Sequence, residues 1–245
     1  MREGDEDPPA QQMSELEFLT VLGLGFLLGA RHALDADHVA AVSTILSDRP
    51  TLRASGFIGF CWGFGHTAVL LLVGLAVIVL KITIPERVAV ALEFGVGLML
   101  VALGVSLAVT LVRERWHLHA HQHDGETHVH LHRHPRRSDH THGHWLRLSL
   151  KPFAVGMVHG LAGSAALMLM VLSTVRTVGE GVAYILVFGL GSIVGMMLLG
   201  VAISVPLVLS ASCGRRAQEA VQALASLGSI GLGAAMMVRI GFGVV

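Results

Sequence analysis

The chain has 245 residues, of which 53% are hydrophobic and 14% charged, with 17 basic side chains, 17 acidic ones and 15 histidines. Zero net charge on so apolar a chain excludes a soluble globular domain, and the lack of a basic excess excludes a nucleic-acid binder. Cys61 and Cys213 stand far apart with no CxxC, which sets aside disulfide frameworks, thiol relays and cysteine zinc sites and leaves a polytopic membrane protein.

In chain order, residues 1–15 form an acidic extramembrane terminus, without the positive region of a secretory signal, so the first apolar run reads as a retained helix. That run, Leu16–Leu46, has apolar ends around a polar centre, Arg31-His32-Ala33-Leu34-Asp35-Ala36-Asp37-His38. Ser55–Leu80 carries no Asp, Glu, Lys or Arg, and Val88–Val112 carries Glu93 alone. A polar, His-rich stretch follows at 113–151. Pro152–Val175, Gly181–Cys213 and Ala220–Val238 are again free of charge. Runs of roughly 18 or more apolar residues mark membrane-spanning helices. The expectation is therefore an all-α polytopic membrane protein with six transmembrane helices, three in 16–112 and three in 152–245.

The loops after the first, third and fifth spans hold eleven Lys and Arg residues, and those on the opposite side hold five. The positive-inside rule then places the long loop in the cytoplasm and both termini outside the cell membrane.

A repeat runs through the spans. Phe26, Gly29, His32 and Leu34 recur 127 residues later as Phe153, Gly156, His159 and Leu161. Gly63, Gly65, Leu72, Gly74, Ala76 and Val79 recur 126 residues later as Gly189, Gly191, Leu198, Gly200, Ala202 and Val205. A three-helix unit enters the membrane from opposite sides in its two copies, giving a 3+3 inverted-topology repeat with a substrate site near the midplane. Asp37, His38 and His66 fall on Ser164, Ala165 and Ser192 in the second copy, so the site should be asymmetric. Many of the 29 glycines lie within the spans, where small residues let helices approach closely.

An ionisable group at mid-membrane costs about 2.5–3.5 kcal/mol, which lipid-facing packing does not explain. Arg31 and Asp35 are spaced to neutralise each other at i, i+4. His32, Asp37 and His38 remain, and imidazoles with a carboxylate suit nickel, cobalt, zinc or copper better than magnesium. On a regular helix His32 and His38 lie about 120° apart, so no continuous helix aims both at one ion. This predicts a broken first helix, interrupted near Leu34–Asp37. His66, following Gly63-x-Gly65, completes the metal set of His32, Asp37, His38 and His66. Asp35, His159, Ser164, Ser192 and Glu93 are secondary candidates. His159 alone reads equally as a hydrogen-bonded core residue, and Glu93 as a proton relay or a capped carboxylate.

Eleven histidines alternate through the loop, at His117, His119, His121 and His123, then His128, His130, His132 and His134, then His140, His142 and His144. Arg, Asp, Gly and Pro dilute any apolar pattern there, so a segment without fixed structure is expected. It reads either as a low-specificity metal buffer at the cytoplasmic mouth or as a compositionally biased linker. A metallochaperone is a candidate partner for it.

The string Arg31-His32-Ala33-Leu34-Asp35-Ala36-Asp37-His38 resembles the H-x-x-x-x-D-H signature of the nickel/cobalt transporter (NiCoT/NicO) family. Phe64-Gly65-His66-Thr67-Ala68-Val69 resembles that family's second-helix motif, and Phe153–Leu167 looks like its compact urease-accessory branch. The resemblance covers nearly the whole chain. The acidic second-half motifs and extra helices of larger family members are absent here. It implies transport of Ni2+ or Co2+ as substrate, with His32, Asp37, His38 and His66 contacting the metal.

The sequence thus reads as a secondary transporter for a divalent transition metal, Ni2+ or Co2+, working by uptake, and not as an enzyme. It has no P-loop and no H-E-x-x-H, and no cofactor is expected. Efflux by the same fold is one alternative. A membrane b-type cytochrome with His66 and His159 as axial haem ligands is another.

Overall fold

The computed structural model describes residues 15–47, 51–82, 84–115, 117–123, 126–132, 149–163 and 177–243. Among these lie seven helices: α1 (Glu15–His32), α2 (Ala36–Leu46), α3 (Leu52–Leu80), α4 (Glu86–Arg115), α5 (149–163), α6 (Val178–Ser212) and α7 (Arg215–Gly241). Two strands, β1 (His117–His123) and β2 (Glu126–His132), pair antiparallel.

Four helices, α3, α4, α6 and α7, are long and apolar enough to cross a bilayer, and α1 with α2 forms a fifth candidate bent by 54°. The described residues therefore supply four to five spans where the sequence predicts six. The expected span Pro152–Val175 is helical through 163, and its remainder lies outside the described residues.

The break falls at residues 33–35, one step ahead of the expected interval. Glycine and leucine carry α1 as far as His32, where turn bonds from the Leu34 amide to the Arg31 carbonyl (2.8 Å) and from the Asp35 amide to the His32 carbonyl (3.1 Å) close it. Asp35 is extended (φ −61°, ψ 146°) and starts α2, whose first bond runs from the Val39 amide to its carbonyl at 3.0 Å. Its side chain caps no amide of α2. It turns back to His32 Nδ1 at 2.8 Å instead. The expected Arg31–Asp35 pair thus gives way to His32–Asp35, because the i, i+4 spacing holds only on an unbroken helix.

Helices α3 and α6 begin alike. Thr51 accepts a hydrogen bond from the Ala54 amide (3.3 Å) and Thr177 from the Glu180 amide (3.2 Å). The two caps are 126 residues apart, the offset of the second motif set.

Glycines set the packing between helices, and the contacts come in matched sets. A Cβ on Gly29 (α1) would strike the Phe188 carbonyl oxygen of α6, and one on Gly156 (α5) would strike that of Trp62 in α3. Likewise a Cβ on Gly191 would meet the Phe26 oxygen, and one on Gly65 the Phe153 oxygen. Each pair maps onto the other at offsets of 127 and 126. Helix α4 packs on α7, where Ser226 and Ser229 donate to the carbonyls of Gly104 and Leu100, both at 2.8 Å. Gln222 of α7 donates to the Ser47 carbonyl beyond α2 at 2.7 Å. The apolar core, including Val42, Leu46, Trp62, Leu100 and Met196, gathers around α2.

In the His-rich stretch an antiparallel ribbon replaces the irregular segment expected at 117–132. Its register sets His117 opposite His132, His119 opposite His130 and His121 opposite His128. Histidine at every second position, with Leu118, Ala120, Val129 and Leu131 between, is the period a strand requires. His134, His140, His142 and His144 lie outside the described residues.

Candidate metal centre

Three chain segments meet at the break. His32 ends α1, Asp37 and His38 open α2, and His66 sits in the middle of α3, where Gly63 and Gly65 bring the helix close to its neighbours. From α5 comes His159, beside Gly160, whose Cβ would lie 2.6 Å from the His66 carbonyl oxygen. His38 and His66 are fully buried, and His159 is 3% exposed.

The rings crowd together. His32 lies 4.8 Å from His38 and 5.2 Å from His66 between ring centroids. His38 lies 5.6 Å from His66 and 4.2 Å from His159. Asp37 accepts from the His38 amide at 2.9 Å through Oδ1, and its Oδ2 is 2.9 Å from His159 Nε2. Asp35 holds His32 Nδ1 and so orients that ring, as an outer carboxylate does for a ligating histidine.

Two sets of side chains place their donor atoms within 4.8 Å of one another: His32, His38 and His66, and then Asp37, His38 and His159. Both ring nitrogens of His38 and both of His66 are buried with no hydrogen bond, as is His159 Nδ1, and His38 Nδ1 has a longer contact with Asp37 Oδ1 at 3.5 Å. Buried polar groups are nearly always paired, so three rings with unbonded nitrogens in one place, each with one lone pair to give, are the mark of donors kept for a ligand. A divalent ion bound by imidazole and carboxylate fits this donor set.

The sequence pattern described as high-affinity nickel-transport protein, NicO, matches residues 18–214. The chain belongs to the NicO family. It is also 36% identical over 214 residues to the urease accessory protein UreH of Bacillus sp. (strain TB-90), covering 81% of this chain and 82% of that one. No solved structure matches. Membership makes the chain a multi-pass membrane transporter of nickel or cobalt and not an enzyme. The cytochrome alternative falls with it, and His38, packed against both His66 and His159, occupies space a macrocycle between those rings would need.

On this NicO chain the structure brings together His32, Asp37, His38, His66 and, from the secondary candidates, His159. Asp35 is the partner of His32. Ser192, the counterpart of His66, is 1% exposed, with its hydroxyl unpartnered. Glu93 lies on the exposed face of α4, outside both donor sets. Ser164 is outside the described residues.

Trp62 escaped the sequence reading. It is fully buried, its indole N–H has no partner, and its rings lie 6.2 Å from His38 and 5.9 Å from His159. The available signal was its position one turn before His66 on the same helix face.

Proposed function

We propose that this protein takes up Ni2+ or Co2+ across the cell membrane, with His32, Asp37, His38 and His66 as ligands of the travelling ion. One observation carries the assignment: His38 and His66 are fully buried and none of their four ring nitrogens makes a hydrogen bond, with His38 Nδ1 lying 3.5 Å from the Asp37 carboxylate. A neutral imidazole offers one lone pair, and the carboxylate lowers the cost of a buried double charge. The broken first span exposes polar backbone only where it lines a protein interior.

The spans form two inverted three-helix units, 16–112 and 152–245. The matched glycine contacts and the Thr51 and Thr177 caps support this arrangement, since both follow the sequence offsets. The termini face outward and the 113–151 loop faces the cytoplasm, as the loop charges require. There the loop's histidines buffer the ion and pass it to a metallochaperone.

Accumulation of radiolabelled nickel by expressing cells tests the reading. Wild type should accumulate the metal, and His32→Ala and Asp37→Asn should each reduce the rate at least about tenfold. Normal transport by both variants refutes the ligand assignment. Depletion of preloaded metal by wild type reverses the direction.

A further inference from the structure

Resting on the transport reading above, we infer that the ion occupies two successive positions in this centre, and that His159 is a ligand of the second. The two donor sets are distinct in composition and overlap at a single residue. His32, His38 and His66 come entirely from the first half of the chain and are all imidazole. Asp37, His38 and His159 add the carboxylate and the one imidazole supplied by the second half.

The shared residue forces the two positions to alternate. A neutral imidazole carries one lone pair, so His38 binds one ion at a time. Each set has three donors, which leaves coordination sites open to water or to the incoming donor. An ion moving between the sets keeps His38 while exchanging His32 and His66 for Asp37 and His159, and is never stripped of all its ligands. A single cage of all five donors would hold the ion too firmly to release, whereas conduction requires several weaker sites.

Charge favours the second step. With three neutral imidazoles the ion brings a net charge of two into the protein. In the carboxylate set Asp37 halves it, and the cost of burying charge falls accordingly. Before the ion arrives, the second set is latched: Asp37 Oδ2 and His159 Nε2 are 2.9 Å apart, which holds the carboxylate and the imidazole side by side. His159 is held in place for this role by α5, which Gly65, Gly156 and Gly160 lock against α3.

Concentration dependence of nickel uptake into vesicles containing the full chain separates the two positions. In His66→Ala the first position is damaged, so KM should rise about 10–100-fold. In His159→Gln the first position is intact and onward transfer fails, so the maximal rate should fall about 10–100-fold with KM nearly unchanged. The glutamine amide preserves a donor toward Asp37 and supplies no imidazole, so a purely structural His159 predicts full activity in that variant. The same variant decides the matter if His159→Ala does not reach the membrane. Wild-type kinetics in His159→Gln, or the same rise in KM in both variants, overturns the two-position scheme and leaves the transport reading standing. Failure of the wild-type chain to carry nickel overturns the transport reading itself.

Discussion

Replacing Gly191 by alanine should loosen the whole frame around the metal centre. The added methyl would collide with the Phe26 carbonyl oxygen, and ordinary contact there needs more than an ångström of extra separation. Backbone, unlike a flexible side chain, cannot swing away, so α1 and α6 must part along their length. Overpacking of this kind costs about 1–3 kcal/mol. For a chain of this size, each kcal/mol shifts the melting temperature by about 2–4 °C, so Gly191→Ala should melt about 2–12 °C below wild type. Its counterpart Gly65→Ala, which drives a methyl into the Phe153 oxygen, should fall by a similar amount. Gly95 provides the control, since nothing lies within 4 Å of a Cβ built there. Alanine at that position gains helix propensity of up to about 1 kcal/mol and should leave the midpoint unchanged or raised. Thermal unfolding of the detergent-purified variants measures all three. A Gly191→Ala protein at least as stable as wild type would show that the helices do not meet where the glycines place them. A large difference between Gly191→Ala and Gly65→Ala would break the equivalence of the two halves.

His66→Leu should raise KM for nickel as His66→Ala does, yet raise the melting temperature, because it removes an unpartnered buried group whose burial costs about 1–3 kcal/mol. A lower midpoint would show that the ring is satisfied. Asp35→Ala frees the His32 ring and should weaken transport about 10–100-fold, while Asp35→Asn, whose carbonyl still accepts a hydrogen bond, should lose less. Equal losses in initial-rate assays would mean that charge, not orientation, is the role of Asp35. Deleting 117–144 should preserve the maximal rate at saturating nickel and reduce retention of cytoplasmic nickel after a pulse, and complete loss of transport would make the loop part of the path.

Much of this arrangement is legible in the chain. Runs with at most one charge locate α3, α4, α6 and α7 within a few residues, because lipid selects length and apolarity with little reference to neighbours. The break is legible too, since His32 and His38 cannot share one face of an unbroken helix. The partner of Asp35 is not, because pairing depends on where α1 stops, and with the helix ending at His32 the carboxylate meets His32 and not Arg31. The ribbon at 117–132 carried a signal that dilution by polar residues concealed: Asp124-Gly125 separates two alternating segments, a pattern typical of hairpins. His159 was legible as a repeat position, but not its bond to Asp37, which joins residues 122 apart.

The orphaned nitrogens and the tight glycines are two sides of one requirement. An imidazole that had found a protein partner would have to break that bond each time an ion passed, so a transport site works best when its donors are left wanting. Left to itself, a buried polar group pulls some neighbour toward it. The helices packed around the site are α1, α3, α5 and α6. These are fixed by contacts at Gly29, Gly65, Gly156 and Gly191 that leave no room even for a methyl group. A rigid frame therefore keeps the site unsatisfied. The side-chain hydrogen bond that the frame does permit within the donor set, between Asp37 and His159, joins the two residues that the ion reaches last.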